Sequence, residues 1–160
     1  MKYPISFEAI TKDVEYCEEV IKMHDQASTY LKKFEWCKAI KNSTLYLNLG
    51  VTLCIFLFEI ENLASKEDNF LWMMVGDIPP MYLDVYGSKT TVDVLERYTA
   101  LAKDWISSIE LGESIDDCYP FEAMPTIEMA NLLKTRVNLI QNSIIPNIDE
   151  ISLPPSLLLL

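Results

Sequence analysis

The chain has 160 residues, half of them apolar and only four of them glycine, and it carries a net charge of −11 at pH 7. This length fits one domain that buries its own core, and the composition is typical of a folded protein rather than a disordered one. The acidic balance argues against binding to nucleic acid, whose phosphates would repel the protein, and against anionic membrane surfaces.

The negative charge is concentrated in the middle of the chain. Residues 1–45 carry equal numbers of lysines and acids, residues 46–58 carry no charge, and residues 59–118 carry thirteen acids against four bases. A concentrated acidic surface attracts cationic partners and speeds their encounter. We therefore expect the middle of the chain to present a docking surface for a basic protein.

The N-terminus predicts a cytoplasmic protein. Met1-Lys2-Tyr3-Pro4 leads into a charged stretch, where a secretory signal would have an apolar segment. The longest apolar run, Leu49 to Phe58, has about half of the ~20 residues that a membrane helix needs.

The four cysteines are Cys17, Cys37, Cys54 and Cys118, and their spacing matches no close-spaced metal-binding pair. We expect reduced structural thiols. The four glycines are scattered, so no phosphate-binding loop is predicted, and the sequence predicts no cofactor.

In chain order, the first predicted element is a long amphipathic helix from Thr11 to about Phe34, with Thr11 as its N-cap. A second helical segment is predicted from Glu35 to about Leu47. The expected buried face of the first helix consists of Val14, Cys17, Ile21, His24, Ser28 and Leu31.

Strands are predicted next. Residues Val51 to Ile60 read VTLCIFLFEI, which favours a strand buried on both faces, with a buried helix as the alternative. After a polar loop, Phe70 to Val75 predicts a second strand, and the short link favours an antiparallel hairpin. Gly76-Asp77 allows a turn or a bulge, Pro79-Pro80 interrupts the ladder, and Met81 to Val85 resumes the strand pattern. Pro79-Pro80 lacks two backbone donors, so this segment is predicted at a sheet edge.

Two helices follow. The first runs from Thr90 to Leu111, where Thr90 and Asp93 form a capping box and Gly112 terminates the helix. The second runs from about Thr126 to Ile144.

These elements predict an α+β fold, mostly helical with a small antiparallel sheet, in a single globular domain over residues 1–150. Residues 151–160 form an apolar C-terminal tail, in which Pro154-Pro155 separates four terminal leucines from the preceding helix. The tail either docks on the core or contacts a partner or another copy of the chain.

The segment WMMVGDIPPMYL, residues 72–83, resembles one found in a group of small bacterial proteins with no established activity. That group carries a Trp-hydrophobic-Val-Gly-Asp-Leu-Pro-Pro-x-Tyr-Leu stretch. The resemblance covers roughly residues 50–145, and it implies a family rather than a function. It also implies that five residues together form a segment of defined backbone conformation: Gly76, Asp77, Pro79, Pro80 and Tyr82. Further matches to the group are Glu96-Arg97-Tyr98, Trp105, Asp116-Asp117 and Pro125-Thr126.

Two patterns suggest chemistry, and each has a plainer interpretation. His24, the single histidine, lies on the predicted apolar face with Cys17, so a Cys–His pair is one reading and a hydrogen-bonded, half-buried histidine is the other. A second candidate is a carboxylate cluster for a metal ion or for acid–base chemistry, with solvated strand ends as the alternative. Its members are Glu59, Glu61, Asp77 and Asp84.

The leading hypothesis is a non-enzymatic, acidic protein-binding module, of the kind that includes bacterial immunity proteins neutralising basic toxins. One alternative is a carboxylate-based or metal-assisted enzyme, and another is a structural subunit of a homo-oligomer. The residues expected to bind the basic partner are Asp77, Asp84, Asp104, Glu110, Glu113, Asp116 and Asp117.

Overall fold

The computed structural model describes residues 2–159. Within them, five antiparallel strands form one sheet, and each strand pairs with the next one in the chain. The edges of the sheet are therefore the first and last strands. The strands are β1 (Ile5–Ser6), β2 (Cys37–Asn48), β3 (Leu53–Asn62), β4 (Phe70–Gly76) and β5 (Ile78–Asp84).

Helices cover both faces of the sheet. The α-helices of the described chain are α1 (Cys17–Lys32), α2 (Thr91–Glu110), α3 (Ile127–Leu139) and α4 (Pro155–Leu158). A π-helical turn, Ile140–Ile144, extends α3. Because α1 contacts β2 to β5 while α2 packs on α3, the helices separate into two layers with the sheet between them.

The central strand β3 joins two hydrophobic clusters, one on each face of the sheet. Ile55 and Leu57 belong to the cluster under α2 and α3, and Phe56 and Phe58 belong to the cluster under α1. All four side chains are buried. Successive strand residues point to opposite faces, so a continuous apolar run is what a strand covered on both sides requires. The prediction of a doubly buried strand is confirmed.

The α+β fold is confirmed, as are the hairpin of β3 and β4 and the edge position of the proline-containing strand β5. The capping box of α2 is also confirmed, because Thr90 and Asp93 each accept a hydrogen bond from the backbone of the other. The sheet is larger than the small one we predict, so the description "mostly helical" overstates the helical share.

The predicted helix from Glu35 to Leu47 is wrong, since this segment forms β2. Its apolar residues Ile40, Leu45 and Leu47 fit a helical spacing about as well as a strand alternation. The pairing of β2 with β3 along almost its whole length decides the outcome. The irregular register at three places explains why no clean alternation is visible in the sequence.

The first helix begins later than predicted. Tyr16, directly before α1, has φ +56°, which is left-handed and cannot continue a right-handed helix. Residues 12–16 form turns and a bend instead. The buried face of α1 includes Val20, Met23 and Ala27, whereas Ile21 is exposed, so the predicted face is rotated by about one residue.

The C-terminal segment packs on the core beneath α2. Ser152 forms a β-bridge with Thr90, and Leu153 and Leu157 are buried in the same cluster as α2 and α3. Leu158 and Leu159 are exposed. The predicted contact surface Leu157 to Leu160 ends in Leu160, which lies outside the described residues.

The sheet has two ends that differ in their connections. We call the end with the β2–β3 turn and the Gly76-Asp77 turn the turn end. The opposite end, with the β3–β4 loop (residues 63–69) and Asp84, we call the loop end.

Gly76 is the position at the turn end where a side chain is excluded. Its φ is +148°, and a Cβ there would lie 2.4 Å from the carbonyl oxygen of Thr52. We predict that Gly76→Ala lowers the free energy of unfolding by about 3 kcal/mol or more, because it combines backbone strain with a backbone clash. Chemical denaturation measures this change.

The matched control is Gly112→Ala. Gly112 also has a positive φ, +69°, but a Cβ there meets nothing within 4 Å. Gly112→Ala should lower the free energy of unfolding by only about 1 kcal/mol, the usual penalty for a non-glycine residue in the left-handed conformation. Equal losses in the two variants would contradict the role we assign to the contact with Thr52.

Candidate acidic and aromatic cleft

An open cleft of about 720 Å³ lies at the loop end of the sheet. One wall comes from Trp36 and the β3–β4 loop, and the other comes from α2 and the connection between α2 and α3. Between them lies the last part of β5, residues 82–84. Five separate segments of the sequence therefore have to fold together to form this site.

Aromatic side chains line the centre of the cleft. The ring of Tyr82 lies 5.2 Å from that of Trp36 and 6.3 Å from that of Tyr119, both in edge-on geometry. Phe34 stacks on the indole of Trp36 at 5.0 Å. Such pairs favour defined ring orientations, so the cleft has an aromatic surface whose rings are arranged relative to one another.

Tyr119 also caps the edge of the sheet. Its hydroxyl accepts a hydrogen bond of 3.1 Å from the backbone N–H of Tyr82 on β5, and it lies 3.2 Å from the Tyr30 hydroxyl. Burial raises the pKa of both Tyr82 and Tyr119, so both phenols are uncharged at neutral pH. An exposed strand edge invites pairing with other chains, and here a side chain occupies part of that edge.

Asp84 ends β5 and holds the next turn. One carboxylate oxygen accepts a hydrogen bond of 2.9 Å from the backbone N–H of Gly87. The other oxygen lies 3.4 Å from Nη2 of Arg97 on α2. Burial acts to raise the pKa of Asp84, but these hydrogen bonds and the guanidinium charge lower it below its usual value. Asp84 therefore has a structural role in addition to lining the cleft.

Arg97 packs tightly beneath this turn. A Cβ at Gly87 would lie 2.3 Å from its Nη1 atom, which is buried and has no hydrogen-bond partner. Nη1 is therefore covered by the Gly87 backbone, and the guanidinium presents its Nη2 side to Asp84.

Asp77 lies at the turn end and is clamped by α3. Arg136 donates a 3.0 Å hydrogen bond through Nε to the Asp77 carbonyl and forms an ion pair through Nη2 with its carboxylate. Six residues separate Asp77 from Asp84 along the extended edge strand, which amounts to about 20 Å. The two residues do not belong to one surface patch.

Glu110 at the end of α2 also has an internal partner, because Lys134 of α3 lies 3.1 Å from its carboxylate. In contrast, Asp104, Glu113, Asp116 and Asp117 are exposed, and none of them forms an ion pair with another described residue. Asp104 follows Arg97 and Leu101 along the face of α2 that borders the cleft.

Of the seven acids predicted to bind a partner, the structure brings Asp84 and Asp117 into the cleft lining and leaves Asp77 at the other end of the sheet. A further lining residue, Asp68 on the β3–β4 loop, is missing from the predicted set. The predicted hairpin contains a signal for it. Leu71 pairs with Asp84, so the loop before β4 must lie beside the end of β5.

The carboxylate cluster proposed from the sequence does not form. Glu59 accepts a hydrogen bond from Asn42, and Glu61 lies 3.7 Å from Lys38, both toward the loop end, whereas Asp77 lies at the turn end. No group of three or more His, Cys, Asp or Glu side chains among residues 2–159 is arranged to hold a metal ion. All four cysteines are free thiols, as expected.

His24 is a hydrogen-bonded, half-buried histidine, and the pairing with Cys17 is not formed. Its Nε2 lies 2.7 Å from the hydroxyl of Ser43, and its ring stacks on Phe7 at 3.5 Å. Phe56 and Phe58 contact it from β3. Burial lowers the pKa of His24, and Lys32 adds to this effect while Asp25 opposes it. The neutral imidazole is thus the form that the folded protein prefers.

Comparison with known proteins gives no relative for this chain: no family model, no curated protein and no solved structure matches it. None of the described helices is both long and apolar enough to span a membrane.

The environment of His24 predicts a pH dependence of stability. In the unfolded chain His24 has its ordinary pKa of about 6.5, and in the folded chain its pKa is lower. Between the two pKa values the unfolded state therefore binds more protons than the folded state. The stabilising effect of the neutral imidazole is complete above pH 6.5 and is lost as the pH falls. We predict that unfolding free energy drops less between about pH 7.5 and 5.5 in His24→Gln than in the wild type.

Because His24 is the single histidine, its Cε1–H NMR signal reports its titration directly. The expected midpoint is below 6.5. A midpoint at or above 6.5, together with an unchanged pH dependence of stability in His24→Gln, would show that this assignment is wrong.

Proposed function

We propose that the protein is a non-enzymatic binding module of the cytoplasm that docks a basic protein on the acidic surface around the cleft. The observation that carries this proposal is the division of charge at the loop end. Arg97 is committed to Asp84, whereas Asp68 and Asp117 line the same cleft without an ion-pair partner among the described residues. Uncompensated carboxylates create a field that attracts cations.

The charge of the whole chain also supports docking of a basic protein. It carries a net charge of −11, and the exposed acids Asp104, Glu113 and Asp116 add to the negative charge of α2 and the connection that follows it. Charges of this kind act mainly on the rate of association and on the choice of partner. Rapid capture of a basic protein is the property that an immunity protein needs against a basic toxin.

The alternatives have less support. For a carboxylate-based enzyme, one of the four acids named from the sequence, Asp77, lies at the opposite end of the sheet from the other three, and no group of three or more His, Cys, Asp or Glu side chains among residues 2–159 is arranged to hold a metal ion. For a homo-oligomer joined through the tail, Leu153 and Leu157 already pack on the core of their own chain, which leaves Leu158 and Leu159 as its exposed leucines within the described chain.

The test is coexpression with the product of each neighbouring gene. We predict that one of them is a basic protein that arrests growth, and that this chain relieves the arrest and forms an isolable complex with it. If no neighbouring product both arrests growth and is neutralised by this chain, the immunity function is wrong.

The mechanism predicts salt dependence of the association with that partner. Its rate constant should fall at least about tenfold between roughly 50 and 500 mM NaCl, because salt screens exposed charges. Stopped-flow fluorescence measures the rate. A rate constant that ignores ionic strength would contradict docking through the acidic surface.

A further inference from the structure

We infer that the cleft at the loop end is an anchor site for one cationic side chain of the partner, an arginine in preference to a lysine. This inference rests on the proposed function and assigns a specific contact within it. Three features of the cleft support it: its shape, its aromatic lining and the charges that face into it.

The lining of the cleft carries more negative than positive charge. Three carboxylates, those of Asp68, Asp84 and Asp117, share the cleft with one guanidinium, that of Arg97. Since Asp84 is paired with Arg97, Asp68 and Asp117 are the two carboxylates available to a ligand. On the loop that carries Asp68, the neighbouring Lys66 and Glu67 offset one another in charge.

A neighbouring phenol lies in the same negative field. Tyr86 also lines the cleft, and its pKa is raised by partial desolvation and then by the nearby charges of Asp68, Glu67 and Asp84. A negative field that disfavours a phenolate also favours a bound cation.

The lining of the cleft also provides aromatic rings. Trp36, Tyr82 and Tyr119 line the cleft and are held by the ring contacts described above. An indole or phenol face attracts a cation, and the attraction increases when water is excluded. Aromatic rings beside carboxylates therefore match a side chain that carries a positive charge at the end of an apolar stem.

The preference for arginine follows from its geometry. A guanidinium is planar, stacks on aromatic rings and binds carboxylates through two parallel hydrogen bonds, whereas an ammonium is a compact and strongly hydrated charge. An anionic ligand is disfavoured, because the unpartnered Nη1 of Arg97 is buried against Gly87 rather than offered to the cleft.

The experiment titrates the full-length, ¹⁵N-labelled chain with four capped pentapeptides, Gly-Gly-X-Gly-Gly, where X is arginine, lysine, the uncharged isostere citrulline or glutamate. We expect the arginine peptide to bind with a Kd in roughly the millimolar range, as one side chain allows. It should shift the indole N–H signal of Trp36 and the amides of residues 82–86 and 117–119. Lysine should bind more weakly, and citrulline and glutamate should leave these signals in place.

The variant Asp68→Asn/Asp117→Asn should weaken binding of the arginine peptide about fivefold or more. The matched control is Asp13→Asn/Glu15→Gln, which removes the same charge from exposed residues beside the turn end of the sheet. The control should change the Kd less than about twofold, as expected for charges beyond the screening length. Unchanged amide spectra outside the cleft verify that both variants fold.

The inference is overturned if citrulline or glutamate binds as well as arginine, if the shifts map elsewhere, or if the two double variants behave alike. Failure of this inference can be distinguished from failure of the proposed function. If the partner still associates in a salt-dependent manner and both double variants bind it equally, the cleft is not the anchor but the acidic surface still docks the partner.

Discussion

The edge strand β5 is held by polar contacts at both of its ends. At the turn end, Arg136 of α3 binds both the carbonyl and the carboxylate of Asp77. At the loop end, Arg97 of α2 pairs with Asp84. Since Pro79 and Pro80 cannot donate to a sheet ladder, this strand depends on such contacts more than an inner strand does. Its position in turn places Tyr82 and Asp84 in the cleft.

These contacts divide the acidic residues into two groups. Asp77, Asp84 and Glu110 each have a cationic partner within the chain, and two of these partners join a helix to β5. Exposed pairs contribute little to stability on their own, up to about 1 kcal/mol each. Their effect here is to neutralise part of the negative charge on the surface that a partner would contact. Asp68 is half-buried in the cleft lining, whereas four further acids without an ion-pair partner among the described residues are exposed: Asp104, Glu113, Asp116 and Asp117.

The buried strand β3 could be predicted because the eight uncharged residues 51–58, bounded by Gly50 and Glu59, fit the length of a strand covered on both faces. The strand β2 could not, because its polar residues Lys38, Lys41 and Asn42 interrupt the apolar pattern. Its conformation follows from pairing with β3, which is a tertiary effect. The late start of α1 likewise depends on one left-handed residue, Tyr16, whose type gives no warning of it.

The cleft was predictable only in part. The sequence identifies Asp84 and Asp117 as candidates, but nothing local indicates that the α2–α3 connection returns to the edge of β5. Nor does it reveal that Arg136 neutralises Asp77 from 59 positions along the chain. Charge counts describe a segment, whereas partner binding depends on which charges share a surface and which are already paired.

The central claim is that a local negative field exists at the loop end of the sheet. Paramagnetic relaxation of amide protons by a cationic and by an anionic nitroxide cosolute measures this potential residue by residue. The account predicts that the cationic probe is enriched around residues 82–86 and 117–119 relative to amides at the turn end near Asp77. Equal enrichment at the two ends, or enrichment of the anionic probe in the cleft, would contradict it.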